Sequence, residues 1–172
     1  MRSRFGMVST TCRLTVGSVV AEQPLQVRVD PTAKATPEGL KAQFDLAMEL
    51  RALQSLANDT LRALDTRRGE LAARRRGALA LPNNEGAAVA ATLGAELAQL
   101  DSLVTTLTKP ANYPYWSEGP RVTERIGNLL RSVDSGNFPP TGPQRALSQE
   151  LAVELRAAME RVRQFLARQV MM

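Results

Sequence analysis

Two pairs of carboxylates invite a catalytic reading, Glu118 with Glu124 and Glu96 with Asp101. Two flanking carboxylates are the usual equipment for glycoside hydrolysis, one as acid and the other as base or nucleophile. Neither pair has flanking chemistry, and carboxylates at helix starts and on solvated faces are ordinary. A Ser or Cys nucleophile needs a base, and the 172 residues contain no histidine. Cys12 is the single cysteine. It permits no intrachain disulfide and, without histidine, no zinc site of the usual kind. Gly17, Gly39 and Gly77 stand singly, so no glycine-rich phosphate loop is present. The residues therefore assign no catalytic, cofactor-binding or metal-binding position.

Two groups of side chains remain as a possible interaction surface. Arg67-Arg68 and Arg74-Arg75-Arg76 belong to a stretch, Arg62 to Arg76, with six Arg against Asp65 and Glu70. Such a patch could meet nucleic acid or an anionic surface. It lacks interleaved aromatics, Arg is a good helix former, and cations near a helix C-terminus are favourable. A solvated helix face is the stronger reading. Tyr113, Tyr115 and Trp116 sit in a Pro/Gly loop, KPANYPYWSEGP. They could form a platform for stacking a sugar or peptide. Aromatics are only 4% of the chain, so sealing one end of a core is the better use for them.

These groups must be carried by helices. The chain is 44% apolar but poor in aromatics, so its core is built from Leu, Val and Ala. The net charge of +5 arises in residues 1–80, with 13 basic and 8 acidic groups; residues 81–172 carry 9 of each. There is no run of apolar residues long enough to suggest a membrane span, and the first residues lack a continuous apolar core of signal-peptide length.

The clearest element is the last. Leu147, Leu151, Leu155, Met159, Val162, Phe165 or Leu166, and Val170 recur at the spacing of one buried helical stripe. Thr141 reads as N-cap, Pro143 lies in the first turn, and Gln144 occupies the capping-box position. Helices are predicted over 37–76, 85–108, 119–134 and 144–170. In the first, Leu40, Phe44 and Met48 make one row and Leu46, Leu50, Leu53, Ala57, Leu61 and Leu64 another, after Thr36 as N-cap and Pro37. Asn84 is predicted to cap the second, with stripe Val89, Leu93, Leu97, Leu100, Val104 and Leu107. The third carries Val122, Ile126, Leu129, Leu130 and Val133. Four helices with short connections predict an antiparallel four-helix bundle over 34–172. Before them, alternating residues predict a short β-hairpin within 1–33, with strands near 12–17 and 24–29 and a turn beginning at Gly17-Ser18. Leu25, Val27 and Val29 face one way in its second strand.

Three stretches, RLTVGSVVAEQPLQVRVDP (13–31), TPEGLKAQFDLAMELRALQ (36–54) and the segment 113–155 containing PPTGPQRAL, carry a resemblance. The chain resembles the C-terminal end of bacterial sortilin-like, Asp-box-repeat glycosyl hydrolase proteins. There an extracytoplasmic β-propeller is followed by a β-sandwich strand pair and a helical tail. The propeller and its Asp-box repeats have no counterpart in this sequence. The resemblance implies a strand pair left from a sandwich and an extracytoplasmic setting, whereas a chain expressed as it stands is expected to be cytoplasmic. With no propeller and no acid/base set, the tail is expected to be non-catalytic. The expected function of such a tail is packing or protein–protein interaction, with the parent propeller or with a second copy through the β segment. No cofactor is expected. The alternative is an independent basic bundle that binds nucleic acid or an anionic surface.

Overall fold

The computed structural model describes residues 8–27, 35–110 and 119–170. The chain is mainly helical. A hairpin of β1 (Val8–Val16) and β2 (Val19–Val27) precedes α1 (Pro37–Leu79), α2 (Ala87–Leu107), α3 (Val122–Asp134) and α4 (Gly142–Val170).

Helix starts follow local chemistry. The Gly39 N–H donates to Thr36 Oγ1 at 3.0 Å, and Pro37 fills the first helical position, where no N–H is needed. At α4 the capping box is reciprocal. The Thr141 N–H donates to Gln144 Oε1 at 2.9 Å, and the Gln144 N–H donates to Thr141 Oγ1 at 3.3 Å. The first helix outruns its expected end at 76. Gly77 costs it about 1 kcal/mol, too little to stop a long cooperative helix. It ends at Leu79, before Pro82.

Asn84 does not cap α2. It takes a positive φ of 63° in the connecting turn, which Asn tolerates. Gly86 precedes α2 with no side-chain cap. Glycine is required there because a Cβ would lie 1.8 Å from the Ala78 carbonyl oxygen.

The helices share one core. In α1 the buried line is Leu46, Leu50, Ala57, Leu64 and Leu71; in α4 it is Leu151, Leu155, Ala158, Val162 and Phe165. Steps of three, four and seven keep such lines facing one partner. In the row Leu40, Phe44 and Met48, Leu40 is half-buried while Phe44 is 63% exposed and Met48 45%. Phe44 and Met48 project roughly 160–200° around the helix from the Leu46–Leu64 line, on a side that no other helix covers among the described residues. The α2 stripe holds at Leu93, Leu100 and Leu107, with Leu97 and Val104 packed against the core, and fails only at its first position, where Ala90 is buried and Val89 exposed.

Four α-helices occur among the described residues, as expected, and their contacts show how they run. Rising along α1, Arg68 meets Asp101 and Arg75 lies over Gly94, so α2 runs antiparallel to α1. Gln43 Nε2 donates to the Val133 and Gly136 carbonyls while Gln54 lies by Gly127, so α3 is antiparallel to α1 too. Gln144 reaches Ser132, and Arg125 reaches Glu150 and Glu154, which turns α4 back along α3. These contacts lay α2 and α3 in succession along α1, with α4 beside them. Among the described residues α2 alone is long and apolar enough to cross a membrane, and its Leu93, Leu100 and Leu107 line lies in the shared core.

The hairpin is longer than predicted. Val16 pairs with Val19 and Thr11 with Pro24. Gly17 has φ +59° and Ser18 does not share it, the pattern of a type II′ turn with Gly first. Counting out from the turn pair, hydrogen-bonded and non-bonded pairs alternate. Pro24 therefore falls at a non-bonded pair, where its missing N–H costs the ladder nothing. Reading that proline as a strand start truncated β2 in the prediction. Val29 lies outside the described residues.

Candidate functional site

The arginine run is dispersed by the helix that carries it. Arg67 Nη1 pairs with Glu70 at 2.7 Å and Arg68 Nη2 with Asp101 at 3.1 Å. Arg74, Arg75 and Arg76 are exposed on successive positions, about 100° apart around α1. Arg75 turns toward Gly94 of α2, with its Nε 3.5 Å from where a Cβ would stand. The five cations form no single face.

The carboxylate candidates separate as well. Glu96 and Asp101 are five residues apart on α2, roughly 140° around the helix, and Asp101 is engaged by Arg68. Glu118 lies outside the described residues, as do Tyr113, Tyr115 and Trp116. Glu124 holds the junction between α2 and α3. Its Oε1 accepts from Thr108 Oγ1 at 2.6 Å and from the Lys109 N–H at 3.1 Å, while Oε2 accepts from the Arg121 N–H at 2.9 Å. Partial burial pushes this carboxyl up. The bonds from Thr108, from the Lys109, Glu124 and Arg121 backbone outweigh burial and hold it below its ordinary value of 4.5. A carboxylate committed to backbone donors is a structural lock. Glu160 is held at about 2 by Arg163 and Gln164 at an exposed position. No group of three or more His, Cys, Asp or Glu that could hold a metal occurs among the described residues.

One groove of about 430 Å³ runs between α1 and α4, with Leu56, Met159 and Leu166 in its floor and Arg156, Glu160 and Arg163 at its edge. Glu160 and Arg163 at that edge are paired with each other at 2.7 Å.

The hairpin presents a different kind of surface. Its register puts Thr10, Cys12, Leu14, Val16, Val19, Ala21, Gln23 and Leu25 on one face. Thr11, Arg13, Thr15, Val20, Glu22, Pro24 and Gln26 occupy the other, where Arg13 and Glu22 lie 3.7 Å apart. The first face is mainly apolar, yet Leu14 is 66% exposed, Val16 67% and Val19 69%. Every described side chain from Thr10 to Gln26 is exposed, Cys12 included. Sequence reasoning found the apolar side of β2 at Leu25. The alternation from Cys12 through Leu14 and Val16 marks the matching side of β1, and the register places it on the same face as Leu25.

The chain matches no family model, no curated protein and no solved structure.

Proposed function

We propose that the chain is a non-catalytic helical module whose work is association with protein, and that its N-terminal hairpin makes the contact. The observation that carries this reading is the open apolar face of β1 and β2, with Leu14, Val16 and Val19 each about two-thirds exposed. A two-stranded hairpin is marginal in water unless further strands or a packed surface support it. An apolar sheet face left open is a docking surface or an aggregation liability. The helices have their own core, described above without a hairpin residue, and serve as a capped, bundle-like support. The resemblance to the tail of Asp-box proteins agrees with this division. There the strand pair would extend a sheet belonging to a propeller-bearing parent, in an extracytoplasmic setting.

The test removes residues 1–33 and compares both forms by light scattering and thermal melting. The shortened chain is expected to melt cooperatively as a helical protein and to lose association shown by the full chain. Association that survives the deletion, or a shortened chain that unfolds, overturns the reading. So does turnover of aryl glycosides abolished by Glu124→Gln.

One observation favours a second reading. Arg74, Arg75 and Arg76 are exposed on the last turns of α1. A phosphate-binding role for them predicts binding to duplex DNA that falls with salt, at about −0.9 in log–log slope per phosphate contact. Binding without that slope would reject it.

A further inference from the structure

We infer that the hairpin's partner is a second copy of this chain, added edge to edge along β1 about a two-fold axis beside Cys12. The inference rests on reading the hairpin as the association element.

The two edges of the hairpin differ. By the alternation counted from the turn, β1 directs the backbone groups of Ser9, Thr11, Arg13 and Thr15 outward, and β2 those of Val20, Glu22, Pro24 and Gln26. Pro24 removes a donor from the middle of the β2 row, a recognised way of blunting an edge. The β1 row is unbroken. An incoming strand can therefore bond along the full length of β1 but not of β2.

A second copy meets that edge with itself. A symmetric antiparallel pairing of Val8–Val16 overlaps completely only when centred on its middle residue, which is Cys12. In this register Thr11 stands opposite Arg13 of the second copy, and Ser9 opposite Thr15. About eight N–H···O bonds form between the two edges. Charge selects the same register. Sliding the strands to centre on Arg13 would set two guanidiniums directly opposite, which is unfavourable. Centred on Cys12, each Arg13 faces a threonine and keeps its own Glu22 beside it.

The two-fold axis stands perpendicular to the sheet, so both apolar faces fall on the same side. Thr10 and Leu14 are brought opposite each other across the new seam, and two marginal hairpins become one four-stranded sheet with a single apolar face. About 31 Å of strand and ~10 Å of sheet thickness cover roughly 600 Å² in total, well below a standard interface. The dimer is accordingly a weak one, seen as concentration dependence.

Cys12 reports the register. It falls at a non-hydrogen-bonded pair of the new seam, where Cα atoms stand about 4.5 Å apart, within the range a disulfide spans. Diamide accepts the two electrons and two protons released as the two thiols join. The experiment treats the full chain with diamide across a concentration series, alongside sedimentation equilibrium under reducing conditions. The expected result is a reversible weak dimer that diamide traps through Cys12. Moving the thiol two residues, in Thr10→Cys with Cys12→Ser, should abolish trapping and leave the reversible dimer, because like positions then lie ~14 Å apart along the seam. Arg13→Pro should lose both, and Arg13→Thr should keep both. Equal trapping at positions 10 and 12, dimerisation of Arg13→Pro at the parent's strength, or a full chain that remains monomeric refutes the β1 seam. If association disappears on deleting residues 1–33 yet persists in Arg13→Pro, the hairpin still associates and only the edge is wrong.

Discussion

Replacing Glu124 with Ala tests the junction of α2 and α3. The change leaves three donors without their acceptor: the Thr108 hydroxyl and the Lys109 and Arg121 N–H groups. Hydrogen bonds to a charged group contribute about 1.5–3 kcal/mol each, and an abandoned buried donor costs a comparable amount. Water reaches this half-buried site and re-satisfies part of the set, so about 2–3 kcal/mol is expected rather than the full sum. For a chain of this size that lowers the melting temperature by about 5–10 °C. Urea unfolding at neutral pH provides the primary measurement. Acid provides the second. The folded carboxyl lies below 4.5, so the unfolded chain takes up the proton first as pH falls. The stabilisation is complete above 4.5 and disappears as pH drops through the folded value. Glu124→Gln, which cannot ionise, should lose stability at neutral pH and show a shallower decline as pH falls below 4.5. An alanine variant within about 0.5 kcal/mol of the parent, the size of a surface effect, would mean that the lock is not formed.

Leu151→Ala and Leu155→Ala, both at fully buried positions, should each cost about 2–5 kcal/mol in urea unfolding. Val153→Ala, 64% exposed on the same helix, should stay within about 0.5 kcal/mol. Gly86→Ala would place a Cβ 1.8 Å from the Ala78 carbonyl oxygen. The turn must open to admit it, at about 1–3 kcal/mol, and an unchanged melting curve would disprove that approach.

Caps and stripes were the legible parts of this fold. Thr36-Pro37 and Thr141 with Gln144 mark helix starts because their side chains satisfy donors a few residues away, an interaction contained within the local sequence. Leu151, Leu155 and Val162 were legible because α4 is covered along one line. Phe44 and Met48 form a row that periodicity detects without showing whether anything lies over it, and they are exposed. Asn84 was misread as a cap because its preference for positive φ serves a turn equally well. Gly86 answers to Ala78, a contact made only when α1 and α2 have folded back. Of the interaction surface, the arginines were visible as a cluster along the chain, but a helix distributes consecutive residues around its axis and Asp101 claims Arg68 from another element. The apolar positions Leu14 and Val16 of β1 show in the alternation alone, but which β2 residues share their face depended on the turn position, since a shift of one residue exchanges the two faces of a strand.

Pro24 bears on how far assembly can go. A hairpin with two equivalent open edges would recruit a copy on each side, and every addition would expose another edge, the route to a fibril. With a proline in the outer row of β2, a pair joined through β1 presents only proline-interrupted edges to solution. Stoichiometry is then set within a single strand, at two chains. Pro24 also lies opposite Thr11, so the residue that terminates growth is cross-strand to one that would take part in the seam.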